Sequence, residues 1–132
     1  MTLEADFRAF TLTDPAVAGI IGARMHARKL PQKPELPAVV YQRISTRRQH
    51  DLQGPDGAPR VRMQAACWAN TPADAYRLAA AVRRRLDGWR GKMGAGVVGG
   101  VQCDGERDVD DPEGGRSGVA LDFVIFFYEQ ED

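Results

Sequence analysis

Val119-Ala120-Leu121-Asp122-Phe123-Val124-Ile125-Phe126-Phe127-Tyr128 is a β-rich run that is apolar on both of its faces. Val119, Leu121, Phe123, Ile125 and Phe127 alternate onto one side of a strand. Ala120, Val124, Phe126 and Tyr128 fall on the other, with Asp122 the one polar break. A strand of this kind needs cover on both sides. A chain of 132 residues with few helices supplies one covering layer, so another subunit is expected to cover part of the second face. The run reads first as belonging to an assembly protein.

Working back along the chain, Asp104, Glu106, Asp108, Asp110, Asp111 and Glu113 concentrate acid in what reads as a late loop. Before it, a glycine-rich stretch from Gly91 to Gly100 leads into a strand around Val97 to Cys103. The longest helix signal begins at Thr71-Pro72-Ala73-Asp74, with Thr71 as cap, Pro72 in the first helical position and Asp74 supplying acid near the N-terminus. Ala75, Leu78, Ala79, Val82 and Leu86 mark its apolar face, Arg83, Arg84 and Arg85 suit its C-terminal end as a solvent-facing cluster, and Gly88 stops it.

Ala38 to Ser45 and Arg60 to Trp68 alternate as strands, and the turn formers Gln53 to Pro59 join them into a long antiparallel hairpin. Its polar tip, Arg47 to Pro59, is too long for a tight turn and is expected to project. Pro31, Pro34 and Pro37 force an irregular path before it. At the start, Thr2 caps a helix with Leu3, Phe7 and Phe10 on one stripe, running to about Thr11. Asp14-Pro15 opens a second helix closed by Gly22. The expected fold is α+β: one domain over residues 1–132, a mainly antiparallel four-stranded sheet with helices packed on one face, in the order ααββαββ.

Composition bounds the function. Eighteen basic residues balance 18 acidic ones, which argues against general affinity for nucleic acid or anionic membrane. No apolar stretch approaches the roughly 20 residues of a membrane span, and the acidic start lacks the pattern of a signal peptide, so the cytoplasm is the expected place of synthesis and assembly. The charge is uneven, however. Arg24, Arg28, Lys29, Lys33, Arg43, Arg47 and Arg48 make the first half basic, and the acid lies late, a division that suits head-to-tail contacts between copies.

Chemistry is sparse. Cys67 and Cys103 match no disulfide framework or zinc pattern and read as reduced core residues. His26 and His50 have no carboxylate or cysteine at ligand spacing. Asp104 to Glu113 alternates oxygen ligands as a calcium loop does, but Arg107 intrudes and the central glycine is missing, so a solvated acidic turn is the preferred reading. The glycine-rich stretch lacks the Gly-Lys-Ser/Thr ending of a phosphate loop and precedes a strand. Trp68 and Trp89 read as core or edge residues. The expectation is no enzyme, no cofactor and no metal.

In order, Met1 to Phe10, Asp14 to Ala18, Gly22-Ala23-Arg24-Met25, Leu30-Pro31 and Leu36 to Ile44 resemble the start of the tail-completion, or tail-terminator, family of long-tailed bacteriophages, prophages and gene transfer agents. Val61 to Gln64, Cys67-Trp68-Ala69, the Thr71 to Gly88 helix and the closing strand with Asp122-Phe123 agree with it. The resemblance implies a ring, commonly a hexamer, at the head-proximal end of the tail tube. Such a ring ends tube polymerisation, joins the head connector and lets DNA pass its lumen without specific binding. The implied partners are the chain itself, the tail tube protein and the head–tail connector protein. No family contact residues transfer. From this sequence alone, Val124, Phe126 and Tyr128 are expected in subunit packing, Arg47, Arg48 and His50 on the projecting hairpin, and Asp108, Asp110 and Asp111 in the acidic loop. Another neck or minor tail component, and a small cation-binding α+β domain, remain the alternatives.

Overall fold

A computed structural model describes residues 2–48, 59–94 and 96–128. Helices α1 (Leu3–Leu12) and α2 (Pro15–Ile21) are followed by strands β1 (Met25–Ala27), β2 (Ala38–Arg47) and β3 (Arg60–Ala69). Helix α3 (Pro72–Leu86) then precedes β4 (Gly91–Met93), β5 (Gly96–Asp108) and β6 (Ser117–Tyr128). The strands form one six-stranded sheet in the order β1-β2-β3-β6-β5-β4. β1 runs parallel to β2, and every other neighbouring pair is antiparallel.

This overturns the expected four-stranded sheet in the order ααββαββ: the sheet is mixed and two strands longer. Both additions are three-residue edge strands, too short to show period-two alternation. β1 lies in the basic stretch ahead of the proline-rich loop, and β4 in the glycine-rich stretch. The acidic segment is corrected as well. Asp104 to Asp108 continues β5, and the connection to β6 spans only residues 109–116.

The two-faced run is the reason the sheet is ordered this way. β6 lies between β3 and β5, pairing Phe123 with Met63 on one side and with Cys103 on the other. Val119, Leu121, Phe123 and Ile125 are all buried beneath the helices. They share that core with Val61, Met63, Ala65 and Cys67 of β3, Leu78, Val82 and Leu86 of α3, and Leu3 and Phe7 of α1. Burial at this density, at about 25 cal/mol per Å² of apolar surface, is the main stabilising term.

Local rules hold the helices. Thr2 and Thr71 accept from the backbone N–H of Ala5 and Asp74, as N-caps do. α3 is tied to α1 by Arg85, whose guanidinium donates to the Phe10 carbonyl at 3.0 and 3.1 Å and to Thr13 Oγ1 at 2.7 Å while lying 3.7 Å from the Phe10 ring centre. Arg85 is therefore a tertiary clamp rather than a member of a solvent-facing cluster. Trp89 packs on the same ring, 4.2 Å between centroids.

The glycine-rich stretch serves close approach. The Phe127 ring lies across Gly96, where a Cβ would fall 2.1 Å from it. Gly94, at φ +62°, sits over the carboxyl group of buried Asp6. Only glycine fits either place.

Candidate assembly surface

All three helices cover one face of the sheet, so the other face is the candidate site. It carries Ala38, Val40, Gln42, Ser45 and Arg47 from β2, and Arg60, Arg62, Gln64, Ala66 and Trp68 from β3. β6 adds Ala120, Asp122, Val124, Phe126 and Tyr128, and β5 adds Val97, Gly100, Gln102, Gly105 and Arg107. The apolar second face of β6 is divided between two treatments.

Near the β5–β6 connection the molecule covers itself. The Trp68 ring lies over Gly118, where a Cβ would come within 2.6 Å, and Val109 closes in from the other side. Ala120 is buried accordingly. The connection is stapled by hydrogen bonds from the Gly118 N–H to Asp110 and from the Gly114 N–H to Asp111. Arg116 Nε lies 3.2 Å from Asp111, an ion pair not aligned as a hydrogen bond, which leaves that buried nitrogen without a hydrogen-bond acceptor. A cavity of about 300 Å³ opens there between Arg28, Lys29, Trp68, Asp111 and Arg116. Trp68 is thus an open-face residue, and Trp89 is partly buried and packs against the core.

At the opposite end the face is open and basic. Val124 and Phe126 are half-buried and Tyr128 is 40% exposed. With Ser45, Arg47, Arg60, Arg62 and Gln102, Val124 and Phe126 border a depression of about 420 Å³, and the Arg60 guanidinium lies 5.5 Å from the Phe126 ring centre. Arg62 donates to Asp104 at 2.8 Å, and Arg107 to Asp122 at 2.6 Å. Of the residues singled out from sequence, Arg47, Val124 and Phe126 come together here. Arg48 follows β2, and His50 lies outside the described residues.

Asp108, Asp110 and Asp111 form a separate group at the other end of the sheet. Asp108 lies level with Val39, and Gly100 level with Arg47, through the intervening pairs. Asp108 accepts from the Tyr76 hydroxyl at 2.8 Å, which holds that phenol above its ordinary pKa of 10.0, chiefly through the hydrogen bond and secondarily through the carboxylate charge. Among the described residues no group of three or more His, Cys, Asp or Glu gathers to hold a metal. Arg60, Arg62 and Gln102 were not singled out from the sequence. The alternation Arg60, Arg62, Gln64 along β3 was the available signal.

The fold and this surface describe an α+β protein that presents a sheet face and two sheet edges. The sequence matches the family model "Tail completion protein gp17" over residues 6–128, and the chain belongs to that family. It is a structural protein of phage-type tails. A similar fold occurs in a chain of the solved "Virion of native gene transfer agent (GTA) particle", with a TM-score of 0.72 and 16% identity, covering 95% of this chain and 93% of that one. No curated protein matches the sequence.

Proposed function

We propose that the chain acts as one domain that closes into a ring, a hexamer, at the head-proximal end of the tail tube, stops tube polymerisation and joins the tail to the head connector. The observation that carries this reading is family membership over residues 6–128, in a family described by tail completion. The surface supports it. One end of the open face keeps apolar and basic side chains available, as a protein with an intermolecular contact still to make requires. Val124, Phe126 and Tyr128 are assigned to subunit packing, and Arg47, Arg48 and His50 of the projecting hairpin and Asp108, Asp110 and Asp111 of the acidic segment to contacts with a subunit or partner. One ring face imitates a tube ring and the other binds a different neighbour, which ends a repeating heterologous contact. DNA passes the lumen without a specific site, consistent with zero net charge.

Electron microscopy of the purified protein mixed with tubes assembled from the tail tube protein tests this. Density capping one tube end with growth arrested is the expected result. Tubes of unchanged length with bare ends would sink the proposal and favour another neck component.

A further inference from the structure

Each long edge of the sheet is only half covered. On β2, β1 pairs with Val39 to Tyr41, and among the described residues no strand pairs on that side from Gln42 to Arg47. On β5, β4 pairs with Gly96 to Val98. The link after α3 then takes over: Gly88 and Trp89 bond to Val101, and Asp87 accepts from the Cys103 N–H. From Asp104 to Asp108 no described strand pairs on the outer side. An uncovered edge of this kind is a template for another strand unless something blocks it.

The two open halves are opposite in charge. Arg43, which pairs with Glu4 of α1, and Arg47 and Arg48 line the β2 side, with no acid among residues 43–48. Asp104, Glu106 and Asp108 line the β5 side, with Arg107 the single base. They are also opposite in level. Since Asp108 is level with Val39 and Gly100 with Arg47, the cap formed by β1 and the cap formed by β4 sit at opposite ends of the sheet.

We propose that these half-edges are the self-association sites, the Asp104–Asp108 edge of one copy pairing antiparallel with the Gln42–Arg47 edge of the next. This rests on the ring reading above and names the surfaces that build it. β2 and β5 run in opposite directions within one sheet, so a second copy laid alongside in the same orientation presents its β2 antiparallel to the first copy's β5. The caps clear each other if the neighbour is displaced along the strands by about four residues, roughly 13 Å, an even shift that keeps the helix sides of both copies on one face. A constant stagger of this sort is what a sheet needs in order to close into a barrel, and closure removes every edge. Arg43 and Glu106 both lie on the helix side of their strands, paired with Met63 and Leu121, so they fall on the same side of the new junction.

The test uses two full-length variants, Glu106→Lys and Arg43→Glu, with wild-type protein, each alone and with tube ends, read by native mass spectrometry and electron microscopy. Each variant alone is expected to lose assembly by at least about tenfold in association constant, since like charges then face each other across the junction. An equimolar mixture is expected to recover it, because every junction is again complementary, and recovery also shows that both variants fold. Assembly of Glu106→Lys alone at wild-type strength, or a mixture that stays dissociated, overturns the edge pairing. Wild-type rings on tubes alongside that result would leave the ring reading standing. Wild-type protein that forms no oligomer on tubes or off them overturns both.

Discussion

At the scale of single residues, the clearest contributions come from groups that the sequence pattern labels differently from the structure. Arg85 joins two helices through the Phe10 carbonyl, Thr13 and the Phe10 ring. Arg85→Ala is expected to cost about 2 kcal/mol in urea unfolding, and Arg84→Ala, at an exposed position, to stay within about 0.5 kcal/mol. Cys67 is fully buried, and burial pushes its thiol well above the ordinary value of 9.0. Cys103, part-exposed, is also raised, with burial the largest cause. A thiol raised in the fold contributes stability that is intact below pH 9.0 and is lost as pH climbs from there toward the folded value, because only the unfolded chain ionises freely. Unfolding midpoints measured from pH 7 to 10.5 should therefore fall at the alkaline end, and Cys67→Ala should flatten part of that fall. A thiol reagent at pH 8 should label Cys103 slowly and Cys67 only after denaturation.

At the scale of elements, what the sequence made legible followed from length and capping. α3 starts after the Thr71 cap with Pro72 and ends at Leu86, just ahead of Gly88, and α2 begins at Pro15, because those signals are local. The β2–β3 hairpin was legible for the same reason. β1 and β4 were not, since three residues carry no period and are held by neighbours far along the chain. Asp104 to Asp108 read as a loop because acid is depleted in strands, yet the pairing partner Ala120-Leu121-Asp122 decides its conformation. Half of the candidate site was legible in β6. The rest, Arg60 and Arg62, depended on knowing that β3 sits beside β6. Phe123→Ala, at the centre of that pairing and fully buried, is expected to cost about 4 kcal/mol. Gly94→Ala, which adds a Cβ onto the Asp6 carboxyl group at positive φ, should cost more than about 1 kcal/mol in the same assay.

At the scale of the whole molecule, charge is neutral in sum, while the uncovered half of β2 carries Arg43 and Arg47 and the uncovered half of β5 carries Asp104, Glu106 and Asp108. Contacts built on such a division weaken as salt screens them, over a Debye length of about 10 Å at 0.1 M. Assembly measured by sedimentation between 50 mM and 500 mM salt should decline steadily, whereas an interface made only by Val124, Phe126 and Tyr128 would hold or strengthen. The strand order carries one more consequence, for biosynthesis. Among the described residues β6 follows the other strands in chain order and is the only strand that pairs with β5 along residues 104–108. Synthesis delivers β3 and β5 first, and neither belongs to a common sheet until β6 threads between them. The acidic edge comes into being with that insertion, so under the edge pairing proposed above a nascent chain on the ribosome has no second docking side to offer. Strand sequence thereby acts as a clock, and a chain ending at Gly115 should show no cooperative unfolding and no incorporation into tails.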